Sequence, residues 1–529
     1  MSIELVTPRP DTGLAPIVDR WRTDKLMDRV WQGDPTVWGP PGTPEITNRL
    51  GWLGLPQTSL PLIPVINDLA GEAIASGITD IVLCGMGGSS LAPEVFAKTL
   101  AGDPPNPTLT VLDSTHPDAI RAVARSTVPE RTWYIIASKS GTTLETLSLF
   151  RFFWAEATDD LAEPGSHFIA ITDPGSSLVG LATERGFRAS IEADPNVGGR
   201  YSALAAYGLV PAGLVGADVR RILESASEAA RQCAPVVPLL DNPAFVIGAT
   251  LASRALNGTD KVQIVATPPV SAFPVWAEQL IAESTGKEGL GILPIAGGPA
   301  PSAASDGTVV SIGSSVYEDA DLSLLVDDGY DIAGAMFVLE LATAAAGEIL
   351  GIQPFDQPDV QLAKLLAASA MSGELETTSV APMIVGSPEL ATALGDALGD
   401  PQLSYISVQA YVKPDEATDA AIEALRTVLD TRFETYTTSG YGPRFLHSTG
   451  QLHKGGPPGG LFIQIIDEPE VHIDVPETDF SFNELIAAQA QGDRAALEDR
   501  GRTVVTISAG DKVVATLEQL TEQLMGRSS

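Results

Sequence analysis

Chemistry in this 529-residue chain has to come from a few turns where glycines, hydroxyls and single charges follow apolar runs. The first is "GMGGSSLAP", in which Gly85, Gly87 and Gly88 lead into Ser89, Ser90 and a helical pattern. Glycine tolerates positive φ and close backbone approach, and the following helix offers unpaired N–H groups at its positive end. Such a turn suits an anion. It is not the dinucleotide G-x-G-x-x-G, because the pattern breaks after the third glycine, and no P-loop lysine follows. A phosphate on a small molecule fits, although the same connector also joins strand to helix in any α/β sheet. The second turn, "SKSGTTLET", loads Ser138, Ser140, Thr142 and Thr143 onto another helix start. Two such turns at adjacent strand ends lie where an open α/β sheet receives its ligand. A third segment, "NVGGRYSALAAYG", sets Arg200 behind two glycines, either in a site or on the surface. A fourth, "WAEQLIAESTGKEG", puts Glu278, Gln279 and Glu283 on a helix ending at Gly286. Carboxylates five positions apart do not share a helical face, which leaves Glu283, beside the terminal glycine, free to project into a cleft.

The elements that must position these residues follow a βαβ rhythm. "TDIVLCG", "TLTVLDS", "RTWYIIAS", "HFIAITD" and "FRASIEAD" are apolar runs separated by helical stretches, as in a parallel sheet. "KVQIVATP", "TVVSIGSS" and the helix "GYDIAGAMFVLELATAAAGEIL" begin a second, smaller unit, and "LSYISVQAYV", "GLFIQIID" and "TVVTIS" continue the alternation toward the end. The expected fold class is therefore α/β, with two doubly wound parallel-sheet domains at 60–230 and 231–395. A tryptophan-rich helical arm at 1–59 precedes them, and an α/β extension at 396–529 follows. The stretch "AGGPAPSAASDGT", 296–308, reads as a low-complexity linker.

Composition narrows the partners. A formal charge of −35 argues against nucleic acid or an anionic membrane, so an anionic substrate must be held by a local site. No apolar run reads as long enough to span a membrane. With only Cys84 and Cys233, a disulfide framework is not expected and a cytoplasmic location is. A small-molecule substrate is expected, with the oligomeric state left open and a homodimer as one option.

The series "GMGGSSLAP", "SKSGTTLET", "VGGRYSALAAYG", "EQLIAESTGK" and "GIQPFDQPDVQLAK", spanning 81–364, resembles in order and spacing the motifs of the glucose-6-phosphate (phosphoglucose) isomerase family. With "WQGDPTVWG" and "YGPRFLHSTGQLHKGGPPGG" added, the chain looks most like the isomerase half of fused transaldolase and isomerase proteins. No region is left for a transaldolase barrel, so isomerase activity alone is implied. The resemblance implies paired sugar-isomerase (SIS-type) domains and an aldose–ketose isomerase acting on glucose 6-phosphate and fructose 6-phosphate by ring opening and a cis-enediol. It needs no cofactor and no metal. Carried over residue by residue, it implies that Gly88, Ser89, Ser138, Ser140 and Thr143 bind the phosphate with Thr142 beside them, and that Gln357 is a phosphate-side ligand. Arg200 would stabilise the enediolate, Glu283 would be the general base and Lys364 would lie near the ring oxygen. Ser140, Gly141, Asp359 and Gln361 stand where the family usually has threonine, an aromatic, glycine and glutamate. The family's ring-opening histidine precedes the lysine block, but here the only similar segment, "HSTGQLHKGG", follows it. His453 is the expected ring-opening group there, with His447 second. In ordinary members that histidine comes from the neighbouring subunit, a point left open here. His116, His167 and His472 read as structural. A dual phosphoglucose/phosphomannose isomerase and a non-catalytic phosphosugar-binding homologue remain as alternatives.

Overall fold

The computed structural model describes residues 3–7, 12–297, 306–371 and 381–526, the side chains of 12, 360–364 and 370 excepted. After a short strand β1 (Glu4–Val6), the chain lays down β2 (Asp80–Gly85), β3 (Thr108–Leu112), β4 (Thr132–Ala137), β5 (Phe168–Thr172) and β6 (Ala189–Glu192). These five form an all-parallel sheet in the order β3-β2-β4-β5-β6. Their runs are apolar without alternation because both faces are covered. Ile81, Leu83 and Ile135 enter one core, while Val82, Cys84, Tyr134 and Ile136 enter another on the opposite face. The order reverses between β2 and β4, so the connections leaving their carboxyl ends diverge and open a crevice there. The two hydroxyl-bearing turns begin at these ends.

A second sheet combines β7 (Lys261–Ala266), β8 (Leu293–Ala296), β9 (Gly307–Gly313) and β10 (Leu322–Leu325) in the order β1-β10-β9-β7-β8, parallel except for β1. Part of the expected linker, 298–305, lies outside the described residues. The first two sheets share a continuous core, since Leu83 and Ile135 belong to the same cluster as Ile264 and Ile312. Through that core runs the helix Asp331–Leu350, long and apolar enough by length and composition to cross a membrane. This corrects the expectation that no run is so long. Its apolar window is 89 % buried, as in a core helix. The N-terminal arm packs on the same core through Trp21, Trp38 and Trp52, and the Trp38 indole donates to the Ala344 carbonyl at 2.8 Å.

The last part of the chain builds a third parallel sheet from β11 (Tyr405–Tyr411), β12 (Tyr436–Tyr441), β13 (Gly460–Ile466) and β14 (Thr503–Ser508), in the order β12-β11-β13-β14. Between β12 and β13 the chain leaves this sheet, passes His447 and returns through the six-residue helix Gly450–Gly455. That helix is anchored by a fully buried ion pair, Lys454 Nζ to Asp493 Oδ1 at 2.5 Å. Breaking a buried pair from one side leaves an uncompensated charge, at a cost of about 3–5 kcal/mol. Asp493→Ala should therefore lower stability in denaturant titration by about that amount, and Lys454→Met with Asp493→Leu should recover most of the loss. An unchanged midpoint for the single variant would refute the anchoring role.

Candidate active site

A cleft of about 560 Å³ opens at the carboxyl ends of β2 and β4. Gly88, Ser89, Ser138, Ser140, Thr143, Arg200, Glu283 and Gln357 all line it, so the structure gathers eight of the expected residues from segments far apart in sequence. Thr142 does not line the cleft. Its hydroxyl lies 2.8 Å from that of Ser140, and its amide donates to Ser140 Oγ at 3.2 Å, so it backs the turn. Ser138 and Thr143 are likewise joined, Oγ to Oγ1 at 2.9 Å, and the Gly141 amide donates to Ser138 Oγ. The turn is thereby pre-shaped, with hydroxyls close together and Thr143 at the N-terminal boundary of the helix Leu144–Asp160. Lys139 also lines the cleft, 2.5 Å from Asp173 Oδ2.

Opposite lies the helix Phe273–Thr285, ended by Gly286 as the sequence predicts. Gln279 and Glu283, one turn apart, face the cleft together. Arg200 NH1 meets Glu283 Oε1 at 2.9 Å, and Gln279 Nε2 donates to Glu283 Oε2 at 3.0 Å. The rest of the Arg200 guanidinium is also engaged, with Nε donating to Ser284 Oγ at 2.9 Å and NH2 to the Pro354 and Asp356 carbonyls at 2.8 Å each. The carboxylate and its cation are thus fixed relative to Gln357 and to the hydroxyl turns.

Two glycines are required by close approach. Gly87 has φ +57°, and a Cβ there would lie 2.6 Å from the His447 carbonyl oxygen; one on Gly88 would lie 1.9 Å from that of Gly199. The first approach seats the histidine segment over the phosphate turn. The second seats the Arg200 segment against it.

The structure separates the two candidate histidines. His447 lines the cleft, while His453 faces away and is buried between Phe445 and Phe462, with Nδ1 3.3 Å from Gln409 Nε2. Burial pushes its pKa well down, with Lys454 and Arg502 adding to the effect. The physical reason is the turn of the helix Gly450–Gly455, which carries His453 into the core of the third sheet's unit. His447 Nε2 lies 3.1 Å from Glu145 Oε1; Gln489 Nε2 donates to the same oxygen at 2.9 Å, and Gln489 Oε1 accepts from Thr115 Oγ1 at 2.6 Å. A carboxylate only accepts, so Nε2 is the donor in this contact. His447 belongs to the same chain as the rest of the cleft. Arg444 holds its segment down through ion pairs with Glu94 and, at 3.3 Å, Asp113 Oδ2. Lys364 falls in the helix Pro358–Met371, but its side chain is outside the described residues, as is that of Gln361. Asp359, at the family's glycine position, accepts from Gln451 Nε2 at 2.7 Å and pairs with Arg500.

Residues 67–289 match the family model of phosphoglucose isomerase. A glucose-6-phosphate isomerase of Rubrobacter xylanophilus is 27 % identical over 61 % of this chain and 89 % of its own. One from a Cyanothece species is 35 % identical over 40 % of each. Among solved structures, a glucose-6-phosphate isomerase from Chlamydia trachomatis aligns with a TM-score of 0.60 at 18 % identity, covering 71 % of this chain and 89 % of that one. A hypothetical protein of Thermus thermophilus aligns with a TM-score of 0.61 at 24 % identity, covering 70 % and 100 %. These structural likenesses show a shared fold.

Because both partners in the Gly88–Gly199 approach are backbone, Gly88→Ala can be relieved only by moving the two segments apart. That movement pulls the turn out of shape, so binding of inorganic phosphate, followed by titration calorimetry, should weaken strongly. Gly71→Ala, on a helix where a Cβ meets nothing within 4 Å, should leave it unchanged. Equal behaviour of the two variants would contradict this account of the turn.

Proposed function

We propose that this chain, whose residues 67–289 match the phosphoglucose isomerase family model, interconverts glucose 6-phosphate and fructose 6-phosphate. The observation that carries the proposal is Glu283 facing the hydroxyl turns across one cleft, with Arg200 on one of its oxygens. The phosphate is held by Ser89, Ser138, Ser140, Thr143 and the amides of their turns, with Gln357 on the same side. This remote binding fixes the sugar relative to Glu283. Ring opening needs a proton delivered to the ring oxygen and one removed from the anomeric hydroxyl. His447, oriented by Glu145, is assigned to that exchange in place of His453. In the open aldose, Glu283 takes the C2 proton and returns it to C1 while the hydroxyl proton moves from O2 to O1. Arg200 offsets the charge that grows on oxygen in between. Both cysteines are free and buried, which suits a reducing cytoplasm.

Two substitutions test this. Glu283→Gln keeps shape and hydrogen-bonding reach but cannot accept the proton, so turnover should fall on the order of 10²–10⁴-fold with binding retained. Exchange of the sugar C2 proton in heavy water, read by NMR, should stop. Glu278→Gln is the control: Glu278 does not line the cleft, and burial opposed by Arg426 and Arg444 pushes its carboxyl up to about 7. Its turnover should stay within a few-fold of the parent. Near-parental exchange by Glu283→Gln would end the proposal.

His447→Asn should slow conversion of the cyclic sugar, again by about 10²-fold or more, while sparing proton exchange in substrate already open. His453→Asn should leave both rates close to the parent and act on stability instead. If the kinetic effects fall the other way round, the assignment of the ring-opening histidine is wrong.

A further inference from the structure

A dianion entering a chain with a formal charge of −35 depends on cations close to where it binds, because charges beyond about 8 Å are largely screened at physiological salt. Among the described residues, three permanently charged cations line the cleft: Arg200, Lys139 and Arg49. They are not equally available. Arg200 is buried and its guanidinium is spent on Glu283, Ser284 and two carbonyls. Lys139 is held at 2.5 Å by Asp173 and donates to the Pro195 carbonyl at 3.0 Å. Among the described residues, Arg49 donates to the Asn48 carbonyl at 3.0 Å and makes a longer contact, 3.3 Å, with Glu45; the two side chains are 18 % and 44 % exposed. An i,i+4 pair of this kind on the rim is weak.

Its placement is nevertheless fixed. The arm that carries Arg49 is stitched to the segment preceding Arg200: the Gly51 amide donates to the Asn196 carbonyl at 3.0 Å, and Leu50 bridges to Val197. The Arg49 side chain lies against Gly198, where an added Cβ would be 3.5 Å from Cδ. Its charge reaches Asp173, where burial pushes the carboxyl up while Lys139, Tyr207 and Arg49 oppose the rise. Arg49 therefore stands beside the Lys139–Asp173 pair at the end of the cleft formed by the hydroxyl turn.

We propose that Arg49 is a substrate-binding residue that turns from Glu45 to the phosphate when the sugar phosphate enters, giving the N-terminal arm a direct part in recognition. The proposal rests on reading this cleft as a sugar-phosphate site. Its chemistry is a guanidinium fork meeting phosphate oxygens, in competition with a neighbouring carboxylate.

That competition supplies the test. Arg49→Gln should raise both the KM for fructose 6-phosphate and the Kd for inorganic phosphate by about tenfold, a size expected of one lost charge-assisted contact, with kcat changed less than about threefold. Arg49→Lys should recover part of the loss. Glu45→Gln removes the competitor and should lower the KM. If Arg49 only braces the arm, Glu45→Gln would weaken binding as Arg49→Gln does, and that result overturns the proposal. So does an Arg49→Gln variant whose KM and phosphate Kd both stay within twofold of the parent. A parent chain that binds phosphate but does not isomerise the sugar would sink the isomerase reading while leaving the phosphate arm of this test intact. A parent that binds no phosphate overturns both.

Discussion

A buried guanidinium must be bonded on every side, and this requirement at Arg200 organises the molecule. The residue leaves the last turn of the first sheet's unit, but its acceptors lie elsewhere: Glu283 and Ser284 on the helix Phe273–Thr285, and the carbonyls of Pro354 and Asp356 on the loop leading to Gln357. A charge taken from water without such partners costs several kcal/mol. The two units are therefore held in the one arrangement that completes the set, and the shared core seals it. Lys287 repeats the device one turn beyond Glu283, with Nζ 2.7 Å from Asp356 Oδ1 and donating to the Gln353 carbonyl at 2.6 Å. Burial, reinforced by Arg200 and opposed by Asp356, pushes its pKa down to about 7. Two basic side chains from different segments thus grip one loop.

The third sheet acts on this centre by reach. Its unit has its own core, yet the connection after β12 extends to the first unit, where Arg444 meets Glu94 and Asp113, and sets the His447 carbonyl above Gly87. Gln279 reads both parts at once, donating to Glu283 and, at 2.8 Å, to the His447 carbonyl. The arm, two sheet units and a returning loop of one chain all contribute to the cleft's lining.

Much of this was legible in the sequence because it is local. The unbroken apolar runs of β2 and β4, the glycine turns and the carboxylate beside Gly286 depend on neighbours a few residues away. The short strands β1, β8, β10 and β12 were not anticipated. "ELV", "LPIA" and "LSLL" are too brief to show a period, and "YTTSGY" is polar because hydroxyls line its inner positions. Which of His447 and His453 lines the cleft was not legible for a related reason: the direction of a six-residue helix against the third sheet decides which ring reaches it. Lys139 and Glu145 are the charged residues of "SKSGTTLET", which is the signal the sequence carries for them.

The edge strand β1 has a consequence for the order of assembly. Glu4–Val6 pairs antiparallel with Ser323–Leu325, so this strand waits through more than half of the chain before its partner exists. Contacts of such separation form late, after loop closure has been offset by other burial. The strands of the first sheet all lie between Asp80 and Glu192, so their pairing has no such dependence, although its faces are covered in part by later segments. The Trp38 indole, whose acceptor is the Ala344 carbonyl, remains without that partner until Asp331–Leu350 emerges, and is exposed apolar surface in the interval.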